Sequence, residues 1–163
     1  MKTELFQVKK ESYNGNYEDH LFEQYRSYVE GMEKVSDKRD KANNLYILIN
    51  TGILSLIGAI LSEKFILFNS DIIIFISIAG IAISYLFWHL INSYKQLNTA
   101  KFKVIHKIEE RLPLSLYKYE WVECLEEGKN KEVYYPFSHI ELIIPWVFSA
   151  LYFFIIVYKL VEC

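Results

Sequence analysis

Proline is scarce in this chain, three in 163 residues, and the six glycines all stand singly. No proline falls between residues 17 and 62, so nothing there forces a helix to stop. Isolated glycines exclude a phosphate-cradling loop. The two cysteines, Cys124 and Cys163, have neither metal nor redox spacing. His20, His89, His106 and His139 are isolated, with no H-E-x-x-H pair and no cysteine partner, so no metal site is expected. No serine or cysteine sits in a nucleophile elbow. An enzyme is therefore not expected, and neither is a cofactor. Charge is nearly missing from residues 42–91 and 134–158, and the net charge of −2 gives no bulk attraction for nucleic acid. The first forty residues are hydrophilic, so no cleavable leader is expected and the first apolar run must direct insertion.

What is abundant is apolar and aromatic: 52% hydrophobic and 17% aromatic, high for a soluble domain. The expectation is an all-α integral membrane protein with three transmembrane helices, the first two extending into the cytoplasm as long helices. Residues 1–43 form a cytoplasmic segment and helix, 44–62 the first span, 72–91 the second, 92–139 a cytoplasmic helical region and 140–158 the third span. Residues 1–15 read as frayed, and Asn16 with Asp19 caps the helix that follows. From there Leu21, Tyr25, Tyr28, Met32, Val35, Arg39, Ala42, Tyr46, Ile49, Ile53, Leu56 and Ile60 step by four and three. This 3.5-residue stripe predicts one unbroken helix over about 17–62, with Arg39 its single charge. Such a seam wants a partner along its whole length, and the stretch from Trp88 to Pro113 supplies one.

The segment SEKFILFNSD reads as a tight hairpin, with Asn69, Ser70 and Asp71 available to cap the second span. After Pro113, Leu114, Tyr117, Trp121 and Leu125 share a face of a further helix that Gly128 ends. Ser138 and Glu141 have capping-box spacing for the third span, and Pro145 falls in its first turns. Eight Lys and Arg precede the first span and eight lie between the second and third, whereas the hairpin has only Lys64 and the tail only Lys159. The positive-inside rule then places the N-terminus in the cytoplasm and the C-terminus outside. Cys124 and Cys163 fall on opposite sides, so no disulfide joins them.

The spans hold no internal ion-coupling charge and no inverted repeat, which argues against a secondary transporter. They do hold small and hydroxyl residues in rows. Thr51, Ser55, Ala59 and Ser62 follow one face of the first span, with Asn50 beside them, and Ser77, Gly80 and Ser84 follow one face of the second. Close helix packing explains such rows. The alternative for the first row is a weakly polar lining between ringed subunits, with Asn50, Thr51, Ser55 and Ser62 as its residues. Arg39 is either an ion pair or snorkel at the membrane edge, or, with Asn43, part of a cytoplasmic mouth. Lys95, Lys101, Lys103 and Lys107 read as a solvated face in contact with anionic lipid.

Three stretches resemble a known family. They are YRSYVEGMEKVSDKRDKANN, WHLINSYKQLNTAKFKVIHKIEERLP, and Tyr119-Glu120-Trp121 followed by His139-Ile140-Glu141 before Pro145. Together they resemble RipA-type octameric membrane proteins of bacteria, and more distantly the short two-span effectors of bacterial conflict systems, from which a third span sets this chain apart. The resemblance implies a ring-forming homo-oligomer of the bacterial cytoplasmic membrane. It further implies an anti-phage, abortive-infection effector that injures the lipid bilayer, with Tyr94, Leu97, Asn98, Lys101 and Trp121 as candidate oligomer or trigger contacts. The trigger must be read by the cytoplasmic helices, and a phage structural protein such as a portal ring would suit it. A constitutive membrane scaffold, binding a partner through the acidic and aromatic face near Tyr117–Glu127, is the competing expectation, and a small constitutive channel a third.

Overall fold

The computed structural model describes residues 4–62 and 71–162 of the chain, without the side chains of residues 137, 138 and 162. It is an all-α membrane protein, with three helices long and apolar enough to cross a bilayer. Helix α1 (Tyr17–Leu61) runs 45 residues without a break, roughly 68 Å at 1.5 Å per residue. Asn16 caps it, its side chain accepting from the Asp19 N–H at 3.4 Å. Helix α2 (Asp71–Glu109) returns antiparallel over 39 residues. A short α3 (Leu116–Tyr119) passes into a π turn over Glu120–Cys124 and a 3-10 turn over Glu126–Gly128. Helix α4 (Phe137–Glu162) completes the bundle. The expected hairpin with Asn69 and Ser70 lies outside the described residues.

Helix α2 is the central element, packed on α1 along both the polar and the apolar half and on α4 in the apolar half. Two apolar clusters hold the three spans together. One gathers Ile57, Ile60, Ile73 and Tyr152; the other gathers Tyr46, Phe87 and Ile91. Tyr46 stacks flat on Phe87 at 3.9 Å between ring centroids and meets Phe148 of α4 edge-on at 5.6 Å, so one ring touches all three helices.

The structure corrects several expected boundaries. The α1 stripe holds from Leu21 to Tyr46 and then slips. Ile49 and Leu56 are 41% and 46% exposed, whereas Asn50 and Ile57 are at 0% and 1%. In the polar half α1 has α2 as its principal helical neighbour and a two-helix seam suffices; among the spans α4 joins on one flank and draws the inward face toward itself. Helix α2 stops at Glu109, short of Pro113, because Arg111 and Leu112 close turns onto Ile108 and Glu109. The regular helix expected after Pro113 is instead three short turns of different pitch, with Leu114 67% exposed. Helix α4 opens at Phe137, so Ser138 lies inside it and not at its cap, and Pro145 is its ninth residue. Residues 4–15 are not frayed: a 3-10 turn over Lys10–Ser12 pairs Lys10 with Glu18, and Phe6 lies 3.4 Å under the Arg111 guanidinium.

Candidate functional site

Polar side chains inside the spans form one connected set. Tyr46 donates its hydroxyl proton to Ser84 Oγ at 2.9 Å, and Ser84 donates in turn to the Gly80 carbonyl at 2.9 Å. Asn50 donates to the Tyr46 carbonyl at 2.9 Å and accepts from the Tyr152 hydroxyl at 2.9 Å. Asn50, Ser84 and Tyr152 are fully buried. The set ties α1 to α2 and α1 to α4 where no water competes, and interhelical bonds of this kind average about 0.6 kcal/mol each in membranes. Gly80 makes the junction possible: a Cβ there would lie 2.5 Å from the Tyr152 ring. Ser77, Gly80 and Ser84 are thus all buried between helices, with Ser77 Oγ finding no partner among the described residues.

At the end of the spans nearer the polar half, Arg39 turns inward. Its Nε lies 3.6 Å from Glu141 of α4 and 3.8 Å from Asp40, with only 17% of the side chain exposed, while Glu141 is fully enclosed. Glu141 therefore serves a cross-helix ion pair, not the expected capping box. The Asn43 carbonyl oxygen and both Glu141 oxygens are buried without a hydrogen-bond partner among the described residues. Trp88 and Trp146 meet edge-on at 6.3 Å, in the amphipathic belt position tryptophan favours at a membrane surface.

Sequence reasoning missed Glu109, which organises the far end of the polar hairpin. Its carboxylate is 1% exposed and accepts from the Tyr25 hydroxyl and from the N–H groups of Tyr117 and Lys118, all at 3.0 Å. It thereby caps α3 and clamps it, with α2, to α1. Burial first, then the hydrogen bond and charge of Glu109, hold the Tyr25 phenol well above its ordinary 10.0. Burial and the charges of Glu33, Glu109 and Glu120 push Tyr117 up likewise. A signal was present, because a carboxylate in the last turn of a helix opposes the macrodipole and calls for a compensating partner.

The expected lining residues divide. Asn50 is withdrawn into the subunit core by Tyr152 and Tyr46, so it is not on a surface that neighbouring subunits could share. Thr51, Ser55 and Ser62 are exposed, and among the described residues Ser55 and Ser62 bond only carbonyls of their own helix, Thr51 and Ala59 at 2.8 and 2.9 Å. Of the candidate contacts, Leu97 and Trp121 are exposed, Tyr94 is half-buried, and the Asn98 carbonyl oxygen is buried without a partner among the described residues. Lys101 sits 4.6 Å over the Tyr28 ring, joining α2 to α1. Among the described residues no three His, Cys, Asp or Glu side chains come together as a metal would require.

No curated protein and no solved structure matches the chain. Residues 22–161 match the octameric membrane protein family (8xMP), a span that takes in all three apolar helices, the polar hairpin and the ion pair between Arg39 and Glu141. The chain belongs to the octameric membrane protein family.

Proposed function

We propose that this membrane oligomer is an effector that permeabilises its own bilayer, with the exposed row of α1 as the lining of the path. One observation carries the reading. The polar groups that hold the subunit together, Tyr46, Asn50, Ser84 and Tyr152, face inward, whereas Thr51, Ser55 and Ser62 are exposed and make no hydrogen bond between helices among the described residues. Hydroxyls spaced along one face of a span and left over from packing suit a weakly polar, water-bearing lumen once copies ring together. Charge asymmetry supports placing the N-terminus and residues 110–136 in the cytoplasm of a bacterial cell, where the long hairpin meets the triggering partner. The resemblance to bacterial conflict effectors supports an anti-phage, abortive-infection setting, and a symmetric phage assembly such as a portal ring is the trigger whose repeated contacts would gain most from avidity.

Expression in bacteria with a membrane-impermeant dye tests this. Infection or forced assembly admits the dye into wild-type cells, and the triple variant Thr51→Leu, Ser55→Leu, Ser62→Leu assembles but reduces uptake at least tenfold. Membranes that stay tight throughout cell death, with a co-purifying partner protein, would establish the scaffold reading instead.

A further inference from the structure

Charge is sorted across the polar hairpin in a way the subunit itself does not use. Residues 110–136 form an elbow whose Glu120, Glu123 and Glu126 are exposed and take no ion pair among the described residues, while Glu127 pairs with Lys129. The elbow is pinned at two heights. Glu109, bonded to Tyr25 of α1, holds the Tyr117 N–H, and beyond the elbow Glu141 meets Arg39. Its carboxylates therefore lie at heights between those of Tyr25 and Arg39. Glu126 and Glu127 both have positive φ, 48° and 55°, one residue beyond the π turn. Two consecutive non-glycine residues in that region are strained and persist only where their surroundings hold them. Gly128 follows them at φ 69°, a conformation that suits glycine.

Round the helix from Glu33, Lys34, Lys38 and Lys41 follow one another by steps of four and three, all exposed and without an ion pair among the described residues. Continued upward, the same steps reach Gly31, Ser27, Gln24 and His20, which line an open groove of about 530 Å³. A Cβ on Gly31 would meet nothing within 4 Å among the described residues, so no close contact there calls for a glycine in mid-helix. A close approach from outside the subunit would.

We propose that neighbouring copies join head to tail, the acidic elbow of one (Glu120, Glu123, Glu126) seated on the lysine flank of the next copy's α1 (Lys34, Lys38, Lys41). Copies inserted in one orientation in a bilayer close into a ring only by presenting two different, complementary faces. The elbow and the lysine flank are such a pair, opposite in sign and matched in height along α1. The second copy is the occupant because the family is octameric. The interface is separate from the row of Thr51, Ser55 and Ser62, so the ring forms through it whether or not the ring conducts.

Charge reversal in the full-length protein, extracted in mild detergent at low salt, provides the test. Glu120→Lys, Glu123→Lys, Glu126→Lys in one variant, and Lys34→Glu, Lys38→Glu, Lys41→Glu in another, each reduce the native mass from that of a ring toward one chain. All six together restore the ring. A ring that survives either single-face variant, or a six-fold swap that stays dissociated with wild-type helicity, overturns the proposal. Should a reversed variant fail to fold, Lys38→Cys with Glu123→Cys in a Cys124→Ser, Cys163→Ser background carries the decision. A short bis-maleimide then yields a ladder of covalent multimers, and a purely monomeric product overturns the assignment.

Discussion

Gly80 occupies the closest approach between two spans. An alanine methyl there would come within 2.5 Å of Cε2 and Cζ of Tyr152, and that ring is held by its hydroxyl bond to Asn50. Overpacking of this kind costs about 1–3 kcal/mol. Gly80→Ala is therefore expected to destabilise the bundle by that amount in a reversible detergent-unfolding titration. Tyr152→Val, which removes the obstructing ring, should make the double variant markedly less than additive; full additivity would place the clash elsewhere. The glycine and its serine neighbours were legible in the sequence as a packing row, since spacing alone puts Ser77, Gly80 and Ser84 on one face. The identity of what packs there was not. Tyr152 lies 72 positions away, and nothing local to either residue announces the other.

At the scale of elements, the polar hairpin depends on one carboxylate. Glu109 caps α3 through two backbone N–H groups and takes the Tyr25 hydroxyl from α1. Glu109→Ala strands these donors in a half-buried site, at about 1–3 kcal/mol for each group left unsatisfied. Hydrogen exchange should show the amides of Tyr117 and Lys118 losing protection by at least tenfold, while those among the spans of α2 and α4 keep theirs. Equal loss everywhere would mean that the clamp supports the whole fold and not the elbow alone. The length of α1 was readable because 45 residues pass without a proline or a paired glycine. Its register among the spans was not, because a 3.5-residue stripe describes a helix with one neighbour. The arrival of α4 exchanges Ile49 and Leu56 for Asn50 and Ile57.

For the whole molecule, orientation is the property on which both the proposed trigger and the proposed ring depend. Cys124 is exposed in the elbow, so it reports which side of the membrane the elbow faces. In a Cys163→Ser variant, a membrane-impermeant maleimide should label Cys124 in inverted vesicles and leave it unlabelled in intact spheroplasts. The opposite pattern would invert the proposed topology and remove the cytoplasm as the site of triggering. What the sequence by itself determined is the class of molecule: three apolar runs of bilayer length, a long helix crossing from polar to apolar surroundings, and helices in place of strands. These follow from local composition and periodicity, which act within a few turns of the chain. Only the tertiary structure decided which polar residues are drawn into the subunit core and which stay on its surface. Asn50 and Thr51 are adjacent and similar in polarity, yet Tyr152 draws one inward while the other stays on the surface. That division arises from a contact across 102 residues, and helical spacing carries no information about it.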